Sequence, residues 1–313
     1  MIPRLYLVSR FYLVPRLCLT IFICLLTSIV SAQRTPSLIT PNNVQTNVEL
    51  GLSEAALDAL DSGRDAALEA LDTYNEHYLN LPLWQDAMFH GQEAEGLAPG
   101  HPEPLRFLAE IYTITRWYAP AWEAWNAYIT AGGTLDATAL TYLTEAGNQL
   151  AYDYYNRGDL ITSASFYEQV IGIVPGGIEA YAALGQIYLD LERPQDAILF
   201  WQQVLNLNPN DSRASYFLAL ASDQATFGIE ATNAFRNGVN HYNQGDMSSA
   251  RDLFRNATTL NAEYAEAWAW LGRTAFEAGN YTGAADAYGE AVSLAPDNST
   301  YAYFLQESHR LGH

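Results

Sequence analysis

Lysine is absent from this chain of 313 residues, so all 15 basic side chains are arginines. Phosphate-binding loops of the Gly-x4-Gly-Lys type require a lysine, and its absence excludes that class of nucleotide site. The two cysteines, Cys18 and Cys24, both lie close to the N-terminus. If an N-terminal segment that contains both cysteines were removed, the remaining chain could have no disulfide, no thiolate metal site and no cysteine nucleophile.

Motifs for catalysis and for metal binding are also missing. None of the six histidines falls in a His-Glu-x-x-His pattern, and no Gly-x-Ser-x-Gly turn occurs. Four carboxylates are spaced three or four residues apart: Glu54, Asp58, Asp61 and Asp65. This spacing places them along one side of a helix and is typical of a solvated helix face. We therefore predict no catalytic residue, no metal site and no cofactor, and we expect that the protein is not an enzyme.

Positive charge is scarce in general. Without the three arginines of the first 16 residues, 12 arginines remain against 35 acidic residues, a formal net charge of about −23. Nucleic acids and anionic membrane surfaces both require a basic footprint, so neither is an expected partner. The charge fits a basic partner or simply solubility outside a cell.

The N-terminus has the pattern of an export signal. A leader with no acidic residue contains Arg4, Arg10 and Arg16. An uncharged, mostly apolar run follows over residues 17–30, and small residues then precede a cleavage point after Ala32. We predict a signal peptide over residues 1–32, a mature chain that begins at Gln33 and is periplasmic or secreted, and a flexible linker over residues 33–50. An uncleaved N-terminal membrane anchor is the alternative; after cleavage, no membrane insertion is expected.

Two stretches that lie 87 residues apart repeat the same pattern of side chains. The first contains Tyr181, Leu184, Gly185, Tyr188, Ala197, Trp201, Val204 and Pro209. The second contains Trp268, Leu271, Gly272, Ala275, Ala284, Tyr288, Ala291 and Pro296. Apolar residues recur at helical spacing from Ser53 onward, and no alternating strand pattern appears. Internal repetition of this kind indicates a repeat architecture.

The pattern resembles the tetratricopeptide repeat, a 34-residue pair of antiparallel helices. This resemblance implies an all-α fold, an α-solenoid in which the stacked helix pairs form a right-handed superhelix. It also implies close helix contacts between Gly185 and Ala197 and between Gly272 and Ala284. These contacts need a small side chain on each helix.

Weaker copies of the pattern extend the array in both directions. We predict an N-terminal array over residues 51–227, with repeats near 68–101, 102–135, 144–177 and 178–211 and an extra helix over 212–227. A C-terminal pair over 228–313 would comprise repeats 231–264 and 265–298 and a capping helix over 299–313. Whether the extra helix separates two arrays or packs inside one superhelix stays open at this stage.

The resemblance also implies a binding surface, because the first helix of each repeat lines the concave groove in this family. The candidate partner-binding residues are Asn148, Tyr152, Tyr155, Asn156, Gln186, Phe235, Arg236, Tyr242, Trp270, Arg273 and Phe276. A scaffold or adaptor that binds a protein or peptide outside the cytoplasm is the leading hypothesis. Binding of a cell-envelope polysaccharide by the aromatic groove is the alternative.

Overall fold

The computed structural model describes residues 51–312. The predicted signal peptide and linker, residues 1–50, lie outside this range. Fourteen helices occur within the described range, and no strand does, which confirms the all-α class. The helices are α1 (Glu54–Thr73), α2 (Pro82–Leu97), α3 (Pro102–Ile114), α4 (Tyr118–Thr130), α5 (Ala137–Asn156), α6 (Leu160–Ile173), α7 (Ile178–Asp190), α8 (Pro194–Leu207), α9 (Ser212–Phe227), α10 (Ile229–Asn243), α11 (Met247–Leu260), α12 (Ala265–Glu277), α13 (Tyr281–Leu294) and α14 (Ser299–Gly312).

Most of the helix pairs are joined by the same three-residue turn. Its middle residue is Gly158, Gly245 or Gly279 in three pairs, with φ between 75° and 83°. Glycine adopts this left-handed conformation at no steric cost. Arg116 and Glu192 occupy the same position in two other pairs, with φ of 62° and 58°. Arg116 and Glu192 therefore have a backbone conformation that is unfavourable for residues with a Cβ atom.

The turn usually ends in a residue whose side chain caps the next helix. Asp159 accepts a hydrogen bond from the amide of Thr162, and Asp246 accepts one from the amide of Ser249. Each bond satisfies one of the amide groups that a helix leaves without a partner at its start. The short polar residue after the glycine thus fixes where each second helix begins.

The described chain divides into two compact units, residues 51–187 and 188–312. We call them the N-terminal unit and the C-terminal unit. In each unit, consecutive helices pack mainly on their neighbours along the chain, as expected for stacked helix pairs. The predicted division after residue 227 stays a prediction. Helix α9 packs on both α8 and α10, and only Gly228 separates it from α10.

Large aromatic side chains fill the core of each unit. Trp84 and Trp125 are fully buried in the N-terminal unit, and Phe254 and Tyr264 are buried in the C-terminal unit. Small alanines surround these rings, because two helices approach closely only where one of them carries a small residue. Each fully buried large side chain contributes about 1.5–3 kcal/mol to stability.

The helix bounds differ from the predicted repeats in the first half of the chain. A repeat that starts at residue 68 would begin inside α1, so the first helix pair is α1 with α2, residues 54–97. Helix α5 starts at Ala137, before the predicted repeat at 144. Asp136 caps this earlier start through a hydrogen bond from the amide of Ala139, at 2.9 Å. The helical spacing from Ser53 onward indicated α1, whereas the early start of α5 was not predicted.

In the last repeat, the group nearest to the glycine is an aromatic ring. A Cβ atom added to Gly272 would lie 2.8 Å from Cδ2 of Tyr288, and its three nearest atoms all belong to that ring. The expected neighbour Ala284 is fully buried but is not the closest group. The glycine therefore makes room for a flat aromatic ring that reaches across the helix pair. The corresponding contact of Gly185 with Ala197 stays a prediction.

Candidate binding surface

Four side chains from α10 and α12 meet on the surface of the C-terminal unit. Trp270, Arg273 and Glu277 lie three and four residues apart on one face of α12, and Tyr242 lies opposite them on α10. We call this group the 242–277 cluster. The hydroxyl of Tyr242 donates to both carboxylate oxygens of Glu277, at 2.7 and 2.9 Å. Nε of Arg273 donates to Oε1 of Glu277 at 3.0 Å.

Aromatic rings hold the guanidinium of Arg273 in place. Its Cζ atom lies 4.9 Å from the ring centroid of Tyr242 and 5.0 Å from that of Trp270. The two rings meet edge to face, with centroids 5.0 Å apart. Side-chain exposure is still 41% for Arg273 and 39% for Glu277. The cluster is thus fixed by its own contacts and also accessible to a partner.

The charges in the 242–277 cluster follow from these contacts. Burial raises the pKa of Tyr242 to about 12, the hydrogen bond to Glu277 acts in the same direction, and the charge of Arg273 opposes both. Burial acts to lower the pKa of Arg273, but the contacts with Glu277 and Tyr242 together outweigh it, so the pKa is raised. At neutral pH the cluster therefore presents a neutral phenol and a positive guanidinium.

Arg236 forms a second polar contact on α10. Its Nη2 donates to Oδ2 of Asp223 on α9 at 3.1 Å, and its Cζ lies 5.0 Å from the ring centroid of Tyr216. Only 15% of the side chain is exposed. Arg236 therefore fixes α10 against α9 and presents little surface to a partner.

Two predicted binding residues belong to the packed interior of the C-terminal unit. Phe235 is buried against the rings of Phe254 and Tyr264, so we exclude it from the candidate surface. Phe276 is partly buried and contacts Phe304 of α14 edge to face. Sequence spacing placed both on the first helix of a repeat, but a helix also uses neighbouring positions of that face for packing.

The remaining candidates lie in the N-terminal unit. On α5, Asn148, Tyr152 and Tyr155 are partly buried, and Asn156 is exposed at the end of the helix. Gln186 on α7 is partly buried. Tyr242, Trp270 and Arg273, by contrast, are brought together in the 242–277 cluster of the C-terminal unit. Glu277, which completes the cluster, was missed, although its position four residues after Arg273 is a common signal for a helical ion pair.

Residues 51–312 lack two other kinds of feature. No group of three or more histidine, aspartate or glutamate side chains there could hold a metal ion. No helix in this range combines the length and the apolar character needed to span a membrane.

Comparison with known families identifies repeats in two segments. Tetratricopeptide-repeat models match residues 178–211 and 235–299. The second segment contains the whole 242–277 cluster. The resemblance to tetratricopeptide repeats found in the sequence is thus confirmed in these two segments. No curated protein matches the sequence.

Several solved structures are similar in fold. The crystal structure of MamA protein has 21% identity and a TM-score of 0.24, and the match covers 54% of this chain and 82% of that one. A tetratricopeptide repeat protein from Parabacteroides merdae has 13% identity and a TM-score of 0.36, with 82% and 100% covered. YrrB, described as a protein of this repeat type with an unusual peptide-binding site, has 17% identity and a TM-score of 0.29, with 68% and 96% covered.

Proposed function

We propose that this protein is a non-enzymatic scaffold that binds a protein or peptide partner outside the cytoplasm. The 242–277 cluster is the observation that carries this proposal. A guanidinium donor and a carboxylate acceptor lie 3.0 Å apart on an accessible surface. A peptide amide offers the complementary pair, an N–H group and a carbonyl group.

Preorganisation strengthens this interpretation. Arginine side chains lose much rotamer freedom when they bind, and this loss weakens binding. Arg273 is already held by two rings and by Glu277, so a partner would order little that is still mobile. Tyrosine, tryptophan and arginine are also the residue types that most often dominate the binding energy of protein interfaces.

Replacement of Arg273 by alanine should weaken partner binding by at least about fivefold, because truncation of a central arginine removes both donors and stacking. The partner would first be captured by chemical cross-linking in extracts of the native cells and identified by mass spectrometry. Its affinity for the wild-type and variant chains would then be measured by calorimetry.

Arg255→Ala is the matched control for this experiment. Arg255 lies on α11, the helix between α10 and α12 in the chain, and pairs with Asp252 at 3.0 Å. It is exposed and, among the described residues, stacks on no aromatic ring. Its replacement should leave the affinity unchanged. Equal affinities of the Arg273→Ala and Arg255→Ala chains would contradict the assignment of the 242–277 cluster as the binding surface.

Export is the second part of the proposal. The basic leader, the apolar run and the small residues before Gln33 support it. We expect the chain isolated from its native cells to begin at Gln33 and to be recovered in the extracytoplasmic fraction. N-terminal sequencing and intact mass would measure this, and a chain that keeps Met1 and stays in the cytoplasm would refute it.

A further inference from the structure

A cleft of about 720 Å³ lies in the N-terminal unit, apart from the 242–277 cluster. It forms where the connection before α2, the start of α2 and the turn between α3 and α4 meet. Its apolar lining comprises Leu79, Met88, Phe89 and Trp117, and its polar lining comprises Asn80, Gln85, Asp86, Thr115 and Arg116. The proposed scaffold function makes no use of this cleft.

Two large aromatic side chains of the cleft are exposed. Phe89 is 60% exposed, and Trp117 is 48% exposed. Trp117 is fixed from behind by Tyr112, which it meets edge to face at 5.5 Å. Tyr112 in turn accepts a hydrogen bond from Gln92 at 3.1 Å. Exposed aromatic rings at a concave surface are costly in water and commonly mark a binding site.

Arg116 lines the cleft from a turn position that glycine fills in three other helix pairs. Its φ of 62° is unfavourable for a residue with a Cβ atom. Its guanidinium lies 5.4 Å from the ring centroid of Tyr78, and Nη1 is 3.4 Å from the hydroxyl of that residue. The side chain thus lines the cleft from a backbone conformation that is unfavourable for residues with a Cβ atom.

The charges of the cleft favour a neutral ligand. Asp86 and Arg116 are the two charged residues of its lining and balance each other. Burial and, to a lesser degree, the charge of Arg116 lower the pKa of the nearby His77, so this imidazole adds no positive charge at neutral pH. Residues 51–187 carry 19 acidic side chains and four arginines, a net charge that repels anions.

We propose that this cleft binds a short neutral oligosaccharide. The apolar faces of pyranose rings stack on aromatic side chains such as Trp117 and Phe89, which combine a flat apolar surface with little conformational freedom. The sugar hydroxyls pair with the exposed amide and carboxylate groups of Asn80, Gln85 and Asp86. A peptide side chain would use the apolar surface but would leave most of this polar lining without partners.

Calorimetric titration of the full chain with neutral tetrasaccharides tests the proposal. The probes are cellotetraose, maltotetraose, xylotetraose and fully acetylated chitotetraose. At least one should bind with a Kd below about 1 mM, within the range that weak but specific sites reach. Trp117→Ala and Asp86→Asn should each weaken that binding by at least about fivefold, through loss of the stacking ring and of the charged hydrogen-bond acceptor.

Tyr303→Ala is the matched control. Tyr303 is as exposed as the cleft aromatics but lies on α14 of the C-terminal unit, so its replacement should not change the affinity. Thermal melting of each variant confirms folding before titration. Absence of binding by all four saccharides would overturn the proposal, and so would binding that survives both cleft variants. Binding of hydrophobic peptides at Trp117 without competition from the saccharides would do the same.

Discussion

Replacement of Trp125 by alanine is expected to lower the free energy of unfolding by about 3–5 kcal/mol, the range for truncation of a large buried aromatic residue. Trp125 is fully buried between helices of the N-terminal unit. Its indole N–H donates to Oγ1 of Thr113 at 3.1 Å, and its ring meets Tyr128 edge to face at 5.8 Å. The alanine variant would leave a large cavity and would remove the indole partner of a buried hydroxyl.

Urea unfolding monitored by circular dichroism measures this loss. Trp125→Phe keeps most of the ring volume but removes the N–H donor, and it should cost less than the alanine variant. Trp117→Ala in the adjacent turn is the control, since nearly half of that side chain is already in solvent. Similar losses for Trp125→Ala and Trp117→Ala would show that the packing described for α3 and α4 is incorrect.

Gly147→Val is the second change with a large expected effect. A Cβ atom added to Gly147 on α5 would overlap Cγ2 of Val170 and would lie 2.6 Å from Cζ3 of Trp122, and both neighbours are stiff. Backbone would have to move to relieve the clash. We expect a loss of about 3 kcal/mol, at the upper end for overpacked sites, although valine is a better helix former than glycine.

Gly172→Val on α6 is the matched control. No atom lies within 4 Å of a Cβ added there, so the change should alter stability by less than about 0.5 kcal/mol. Chemical denaturation of the two variants in parallel separates the steric effect at residue 147 from helix propensity. If both variants unfolded at the wild-type denaturant concentration, the close approach of α5 and α6 would be disproved.

The candidate surface was only partly predictable from the sequence. Repeat position identified Tyr242, Trp270 and Arg273, because the first helices of adjacent repeats place equivalent positions side by side. It also selected Phe235, whose ring is buried, since a period of 3.6 residues does not reveal which edge of a helix face meets a neighbour. Glu277 was missed, although its carboxylate accepts hydrogen bonds from both Tyr242 and Arg273.

The cleft of the N-terminal unit shows a different limit. Its lining residues come from the connection before α2, from α2 itself and from the turn between α3 and α4. No motif or spacing relates them along the chain. The unusual conformation of Arg116 was also invisible, because the sequence offers only an arginine where other repeats have glycine.

The sequence by itself determined the class of this protein: helical spacing, turn glycines and an 87-residue offset are local features, and helices with short turns form from local signals. Helices α9 and α14 lie where the sequence predicted an extra helix and a capping helix, and the capping role of α14 stays a prediction. Only the tertiary structure decided which ring fills the space at Gly272, which arginine remains accessible and which aromatics surround a cleft. These outcomes depend on side chains that are distant in sequence and compete for the same space. Such contacts cannot be read from the periodicity of the sequence.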